Sequence, residues 1–226
     1  MIAIIAAMDV EVEAIVSVLD TKEKTNISGI DFYQGTLNGK AMIVMKSGVG
    51  KGNASMATTI LLENFAIDRI VNIGTAGGLK ANQKILDAVV SDCVVQHDYD
   101  TSPIDGTSGI GLFFKADKDL GDVCEQALLA MDVCVHRGLI ASGDQFIASE
   151  EQLNNLEHKF SDAICAEMEA GAIGQVCAHY HIPFVVLRSL SDIAHQKDSH
   201  MDFVAYMKEA SKRSALFCKE LMKITL

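Results

Sequence analysis

The segment Phe184-Val-Val-Leu-Arg-Ser-Leu-Ser-Asp192 begins with four consecutive apolar residues and ends with a carboxylate. Strands that are apolar on consecutive positions are typical of a sheet covered by helices on both faces. In such α/β sheets, ligands bind at the carboxyl ends of the strands. We therefore expect Asp192 to lie in a ligand crevice. A desolvated carboxyl group there could hold a proton near neutral pH and act as a general acid; the alternative is a cap for the segment that follows.

Similar apolar runs recur along the chain and alternate with helical patterns. Further strands are predicted at 2–6, 30–37, 41–46, 69–74, 88–96 and 134–142. Apolar residues at helical spacing predict helices at 51–63, at 117–131, from 168 onward and at about 202–223. This alternation predicts an α/β fold with a central, mostly parallel or mixed β-sheet flanked by helices.

Charge and apolar run length exclude several functional classes. The 226 residues include 30 acidic and 19 basic side chains, a net charge of −11, without a basic cluster. Nucleic acid and anionic membranes are therefore poor partners, because their phosphates would be repelled. No apolar run approaches the roughly 20 residues of a membrane helix, and residues 1–8 lack the basic region that begins a signal peptide. We expect a cytoplasmic protein.

The cysteines and histidines indicate neither disulfides nor a metal centre. The six cysteines form no Cys-x-x-Cys pair and are interpreted as reduced core residues. The seven histidines show no metal-ligand spacing. No metal or other cofactor is predicted.

The chain lacks a Ser-, Gly- or Pro-rich linker, and its only prolines are Pro103 and Pro183. Residues 1–226 are therefore predicted to form one domain. The irregular segment 98–111 contains Pro103 and three glycines, and we expect a long mobile loop there. Loops of this length are often lids or interface elements.

Three polar segments follow predicted strands. Lys46-Ser-Gly-Val-Gly-Lys-Gly52 lacks P-loop spacing, and Gly74-Thr-Ala-Gly-Gly78 repeats the glycine pattern after another strand. Each could be only a tight turn, but two at strand C-termini indicate a shared crevice. In Ser142-Gly-Asp-Gln-Phe-Ile147, the ring of Phe146 either stacks on a planar base or belongs to the core.

Three carboxylates follow or interrupt apolar runs: Glu11, Glu169 and Asp192. Such acids are either buried with partners or line a cleft, which points to acid/base chemistry. Glu169 is in helical register with Ile173 and Cys177, so its carboxylate extends an apolar face. A buried carboxylate only accepts hydrogen bonds, and two hydroxyls on adjacent sugar carbons would suit it.

Two further charged residues need an explanation. Glu167 lacks the apolar register of Glu169 and fits stabilisation of a solvated helix N-terminus better. Arg188 lies within an apolar strand and requires an anionic or water-holding site, because a lone buried cation is costly.

Together these residues resemble the 5′-methylthioadenosine/S-adenosylhomocysteine nucleosidases of the nucleoside phosphorylase superfamily. The resemblance is nearly end to end and runs through Ala7-Met-Asp-Val-Glu, Lys46-Ser-Gly-Val-Gly-Lys, Asn72-Ile-Gly-Thr-Ala-Gly-Gly-Leu, Ser142-Gly-Asp-Gln-Phe-Ile, Glu167-Met-Glu-Ala and Arg188-Ser-Leu-Ser-Asp-Ile-Ala. It implies a nucleoside phosphorylase-like fold. The implied reaction is hydrolysis of the adenine–ribose bond of methylthioadenosine, S-adenosylhomocysteine and 5′-deoxyadenosine, in methionine salvage and methyl-cycle recycling.

The resemblance also implies a role for each matching residue. Asp192 would protonate the leaving purine at N7, and Glu11 would activate a water held with the help of Arg188 and Thr75. Glu169 and the Met168 backbone would bind the ribose hydroxyls. Phe146 and Ile147 would receive the base. Met8, Val49 and Phe203 would face the 5′-substituent. Gly77, Ser191 and Ala194 would complete the substrate site.

One segment departs from the family pattern. Relatives usually continue a His-Asp pair with Thr-Ala-Phe-Gly-Tyr, whereas His97-Asp98 is followed by Tyr-Asp-Thr-Ser-Pro-Ile-Asp-Gly. In relatives this loop completes the 5′-pocket of the neighbouring subunit, so a homodimer with segment 98–111 near the partner's site is implied. Three alternatives stay open: a phosphate-dependent nucleoside phosphorylase, an aminodeoxyfutalosine hydrolase, and a non-catalytic nucleoside-binding protein.

Overall fold

The computed structural model describes residues 1–194 and 199–224, and within 199–208 it describes only the side chain of Tyr206. In this part of the chain, ten strands form one sheet. The strands are β1 (Ile2–Ala6), β2 (Thr21–Ile27), β3 (Ile30–Leu37), β4 (Lys40–Lys46), β5 (Arg69–Gly78), β6 (Ala88–Asp100), β7 (Ile110–Lys115), β8 (Val135–Ser142), β9 (Ala163–Glu167) and β10 (Phe184–Ile193). The helices are α1 (Asp9–Val16), α2 (Lys51–Asn64), α3 (Ser102–Asp105), α4 (Lys118–Leu129), α5 (Glu150–Lys159), α6 (Ala170–Tyr180) and α7 (Ser199–Leu221), with a 3₁₀ turn at Gly106–Gly109.

Five of the strands close into a ring. β10 pairs with β5 in parallel and with β6 antiparallel, β8 pairs in parallel with β6 and β9, and β9 returns to β5. The first half of β5 also pairs with β1, from which β4, β3 and β2 continue as an open sheet. The predicted mixed central sheet flanked by helices is confirmed.

The pairing brings several carboxyl ends to one place. β1, β4, β5 and β10 run parallel to one another, so their carboxyl ends lie at the same edge. β9 is antiparallel to β5 but overlaps it only where Gly77 and Gly78 meet Ala166 and Cys165, near the carboxyl ends of both strands. β8 is parallel to β9 and ends beside it, so this edge gathers the segments that follow six strands: β1, β4, β5, β8, β9 and β10.

Helices cover both faces of the sheet, which explains why β1 is apolar on consecutive positions. Ile2, Ile4 and Ala6 pack into one core cluster with residues of α1, α4 and α7. Ala3 and Ile5 point the other way and pack with residues of α2 and α6. Two apolar layers thus sandwich the sheet, and every position of this strand is buried.

Three strands and three helices were not predicted, and one of these helices is the short α3. β2 is mostly exposed and polar, so it carries no apolar signal in the sequence. It is a strand because it pairs with β3 along its full length. β7 and β9 have only six and five residues. α1 has eight residues, and α5 begins with a capping box between Ser149 and Gln152 that the sequence does contain.

Two predicted irregular segments are regular in the structure. Gly74–Gly78 continues β5, with Thr75 paired to Ser189 and Gly78 to Ile193, so the predicted second glycine turn is wrong. Segment 98–111 is not one long loop. It comprises the end of β6, α3, the 3₁₀ turn and the start of β7, and the Thr101 N–H donates to the Gly109 carbonyl at 2.8 Å.

Four cysteines are buried as expected, and Cys93 is half-buried, but Cys134 is exposed because it precedes the first residue of β8. The prediction that it is a core residue is wrong. Across the described ranges, none of the helices combines the length and apolar character that crossing a bilayer requires.

Candidate active site

A cavity of about 270 Å³ opens at the edge where the carboxyl ends meet. Four acidic residues line it together with apolar and small residues. The acids are Glu11, Glu167, Glu169 and Asp192, and each is at most 7% exposed. Because a buried carboxylate is costly unless paired or hydrogen-bonded, the partners of each acid determine what it can do.

Glu11 follows β1 and is the third residue of α1. Its Oε2 accepts hydrogen bonds from the backbone N–H groups of Ala7 and Met8, at 3.1 and 3.0 Å. Its Oε1 is buried and has no hydrogen-bond partner among the described residues. Burial raises the pKa of Glu11, against the lowering effects of the Met8 N–H and the Arg188 charge. One oxygen thus fixes the side chain, while the other is available to accept a proton.

Arg188 is fully buried and holds the acids together from behind the cavity wall. Its Nη2 donates to Glu167 Oε2 at 2.5 Å and to Asn72 Oδ1 at 2.6 Å, and it lies 3.9 Å from Glu169 Oε2. Burial disfavours its charge, but the carboxylates of Glu167 and Glu169 raise the pKa of Arg188. The anionic site that Arg188 was predicted to require is therefore present.

Glu167 is the last residue of β9 and lies at the N-terminus of α6. Its carboxylate accepts hydrogen bonds from the backbone N–H groups of Glu169 and Ala170, at 3.0 and 2.9 Å. The predicted contact with a helix N-terminus is present, but the expectation of a solvated position is wrong. Glu167 is 7% exposed and pairs with Arg188, because the cavity wall covers the start of α6.

Glu169 connects two segments that are distant in the chain. It is the residue before α6, and its Oε1 accepts the Gly50 backbone N–H at 3.0 Å, which comes from the glycine segment before α2. Burial and the charge of Glu167 raise the pKa of Glu169 to about 7, against the lowering effect of Arg188. Glu169 therefore takes up a proton more readily than an ordinary glutamate.

A β-bulge in β10 orients Asp192. Leu190 pairs with Ala76 and Asp192 with Gly77, so Ser191 is an extra residue. Leu190 packs in the core, whereas Ser191 and Asp192 line the cavity. In a regular strand Leu190 and Asp192 would share a face, so the bulge turns the carboxylate towards the cavity. The Ser191 hydroxyl donates to Asp192 Oδ1 at 2.7 Å.

Two glycines of β5 leave room for these charged groups. A Cβ atom on Gly77 would lie 3.1 Å from Asp192 Oδ2. A Cβ atom on Gly74 would lie 3.2 Å from Arg188 Nη1 and 3.4 Å from Glu11 Oε1. The glycines of this segment therefore matter because they lack a side chain, and not because they form a turn.

The rest of the cavity wall is mostly apolar and partly exposed. Phe146 and Val49 are each about half-exposed and come from the segments after β8 and β4. The other predicted residues on the wall are Met8, Thr75, Gly77, Ile147, Met168 and Ala194. An apolar cavity with a few polar groups is typical of a small-molecule site.

The structure brings most of the predicted site residues together. Arg188 lies behind the wall and contacts the acids, and the side chain of Phe203 lies outside the described residues. Sequence reasoning missed Gln145 and Gly74, both on the wall, and underrated Glu167. Glu167 ends the apolar run Ala163-Ile-Cys-Ala, the same signal that pointed to Asp192.

The chain is similar to known proteins over nearly its whole length. The model of the phosphorylase superfamily matches residues 1–223. The 5′-methylthioadenosine/S-adenosylhomocysteine nucleosidase of Geobacillus sp. (strain WCH70) is 41% identical over 219 residues, which cover 95% of this chain and 94% of that protein.

Solved structures extend the likeness to the fold. The nucleosidase of the same name from Neisseria meningitidis, in complex with methylthio-immucillin-A, is 32% identical with a TM-score of 0.92 and covers 98% of each chain. The futalosine hydrolase of Helicobacter pylori strain 26695 is 30% identical with a TM-score of 0.90, covering 98% of this chain and 97% of that one. By sequence and fold, the chain belongs to the phosphorylase superfamily and, within it, to the 5′-methylthioadenosine/S-adenosylhomocysteine nucleosidases.

Proposed function

We propose that the chain hydrolyses the N-glycosidic bond of 5′-methylthioadenosine and S-adenosylhomocysteine, and also of 5′-deoxyadenosine, releasing adenine and the 5-substituted ribose. The observation that carries this proposal is the pair Glu11 and Asp192, two buried carboxylates with different partners on the wall of one cavity. Two carboxyl groups in different environments can serve as base and acid in the same reaction.

In the proposed reaction, Asp192 donates a proton to N7 of the purine as the bond between C1′ and the base nitrogen breaks. The ribosyl ring becomes cation-like, and the oxygen of a water molecule attacks C1′. Glu11 Oε1 takes the proton of this water. Its lack of a hydrogen-bond partner supports this role, because the water can then be its partner. The neutral products are adenine and the 5-substituted ribose.

The arrangement around Arg188 supports the ribose-binding role of Glu169. Its Oε1 is occupied by the Gly50 N–H, while Oε2 is 3.9 Å from Arg188. Oε2 is therefore the oxygen we assign to the ribose hydroxyls, with the Met168 backbone beside it. Arg188 fixes the positions of the carboxylates that it contacts. We also assign to Arg188 and Thr75 the role of helping to hold the attacking water.

The exposed ring of Phe146 supports stacking against adenine, and the Ile147 main chain would bind the edge of the base. Met8 and Val49 line the part of the wall that we assign to the 5′-substituent, and Phe203 is proposed to join them. Gly77, Ser191 and Ala194 complete the proposed substrate-binding set.

The cavity argues against phosphate as the nucleophile. No lysine or arginine occurs on its wall among the described residues, whereas four acids do. A phosphate anion would be repelled by this wall, and phosphate sites ordinarily offer cationic donors. Water is uncharged and can donate to Glu11.

Aminodeoxyfutalosine hydrolysis is a second candidate, favoured by the similarity to the Helicobacter pylori futalosine hydrolase. It would use the same acid, base and ribose contacts, and would differ only at the 5′-substituent. Relative kcat/KM for aminodeoxyfutalosine and methylthioadenosine decides between the two assignments.

The test is adenine release from methylthioadenosine, S-adenosylhomocysteine and 5′-deoxyadenosine, with and without phosphate. We expect release without phosphate and no ribose 1-phosphate with it. Asp192→Asn and Glu11→Gln should each lower kcat by a factor on the order of 10² or more. Glu13→Gln is the matched control, because Glu13 is exposed on the same helix as Glu11. Near-parental turnover of either acid variant would refute its role, and inactivity of the parent would favour a non-catalytic binding protein.

Three further properties are part of the proposal. One continuous sheet supports a single domain over residues 1–226. A homodimer with segment 98–111 near the partner's site, and a cytoplasmic location, rest on the family resemblance and on the composition.

A further inference from the structure

Three side chains outside the cavity form a cluster whose chemistry the proposed reaction does not use. They are Asp87, Cys134 and His136. His136 Nε2 lies 2.8 Å from Asp87 Oδ2 and 3.9 Å from Cys134 Sγ, and all three atoms lie within 4.8 Å of one another. None of the three residues lines the cavity.

Strand pairing fixes the cluster. Cys134 directly precedes β8 and His136 is its second residue, so the two-residue spacing of an extended chain puts their side chains on the same face. Asp87 directly precedes β6, and the Ala88 N–H next to it donates to the Cys134 carbonyl at 2.9 Å. The backbone N–H of Lys84 donates to Asp87 Oδ2 at 2.9 Å, which holds the carboxylate in place.

The geometry favours a shared ion over a catalytic triad. In a Cys-His-Asp triad the thiol and the carboxylate contact opposite nitrogens of the imidazole ring. Here both lie nearest the same nitrogen, Nε2, and the three possible ligand atoms are close enough to one another to share one ion. An ion pair between Asp87 and His136 alone would not account for the thiol beside it.

We propose that Asp87, Cys134 and His136 bind a zinc ion. Carboxylate oxygen, imidazole nitrogen and thiolate sulfur are all zinc ligands, and tetrahedral coordination leaves one position for water. The exposure of Cys134 gives the ion and this water access from solvent. Binding releases the thiol proton, and it requires Nε2 without a proton.

The site is continuous with the strand that carries Asp192. The Leu190 N–H donates to the Asp87 carbonyl at 2.9 Å, and the Leu86 N–H donates to the Leu190 carbonyl at 2.8 Å. An ion at Asp87 would therefore join β6 and β8 beside the bulge of β10. Zinc should raise the melting temperature of the folded protein, because the unfolded chain does not assemble the three ligands.

The test is a titration of the full-length protein with Co²⁺ and with Zn²⁺. We expect one bound Co²⁺ with the intense near-ultraviolet absorption of a thiolate–cobalt bond, displaced by Zn²⁺. Cys134→Ser should abolish this absorption and weaken zinc binding about tenfold or more in calorimetry. Cys93→Ser is the matched control, because Cys93 is the other cysteine that is not buried.

A second variant separates loss of the ligand from loss of the fold. Asp87→Asn keeps the shape of the side chain and an acceptor for the Lys84 N–H, and it should also weaken zinc binding about tenfold. The proposal is overturned if the parent binds no Co²⁺ through a thiolate, if Cys134→Ser binds zinc as tightly as the parent, or if Cys93→Ser is the variant that loses the absorption.

Discussion

Replacing Gly77 by alanine tests whether the missing side chain in β5 is what admits the Asp192 carboxylate. The added Cβ would lie 3.1 Å from Asp192 Oδ2, which is too close for an ordinary contact by a few tenths of an ångström. Gly77 does not have a positive φ angle, so alanine imposes no backbone strain there. The carboxylate must therefore move away, against its hydrogen bond from Ser191.

The size of the effect follows from that displacement. A misplacement of about 1 Å costs about 10² in rate, so a few tenths of an ångström should lower kcat about tenfold. The free energy of unfolding should change by less than about 1 kcal/mol, because the contact involves one side chain at a cavity. The assay is kcat and KM for methylthioadenosine beside urea unfolding.

Two other glycines, one in α2 and one beside Gly77 in β5, provide the controls. Gly52→Ala adds a methyl group where no atom lies within 4 Å, and should leave kcat unchanged. Gly78→Ala places a Cβ 2.8 Å from Gln83 Oε1 and from Ile193 Cδ1, so it should lower stability by about 1–3 kcal/mol through overpacking. If Gly77→Ala keeps parental kcat, or loses activity only in proportion to lost stability, the steric argument for Asp192 is wrong.

Three further predictions concern the acids and the base site. Because the pKa of Glu169 is raised to about 7 from an ordinary 4.5, the folded state holds its proton over a range where the unfolded chain releases it. The free energy of unfolding should therefore fall as pH rises from about 4.5 to 7, and urea unfolding at several pH values should show a smaller fall in Glu169→Gln. Arg188→Met leaves Glu167 buried without its cation and should cost about 3–5 kcal/mol in urea unfolding, a prediction refuted by a loss under about 1 kcal/mol. Phe146→Ala should weaken adenine binding by calorimetry about two- to tenfold, whereas Phe113→Ala, exposed on β7, should have no effect; equal effects would contradict stacking.

Local patterns were enough to predict the parts of the fold that depend on local physics. Consecutive apolar residues marked the buried strands, and helical spacing marked the longer helices. β2 could not be found this way, because its pairing with β3 is what makes it a strand and its residues carry no apolar signal. The end of β5 was mistaken for a turn because glycine is suited both to a turn and to a position where a distant side chain needs room. The local sequence does not distinguish these two uses.

The candidate site was predicted in part, because polar residues at strand ends are visible in the sequence. Asp192 and Glu11 were identified in this way, whereas Glu169 was identified by its helical register with an apolar face. The family resemblance supplied the implied roles of all three acids. The bulge at Ser191, which directs Asp192 away from the core, was not predicted. It depends on the register between β10 and β5, which no property of either strand alone specifies.

The sequence by itself determined the α/β class, the apolar strands and the acids at their ends, because each depends on residues that are neighbours in the chain. Only the tertiary structure decided which charges share a site. Arg188 contacts Asn72 across 116 positions, Gly50 contacts Glu169 across 119, and His136 contacts Asp87 across 49. Such pairs are set by strand order and register, and the energy of a buried charge depends on the partners that this packing brings to it.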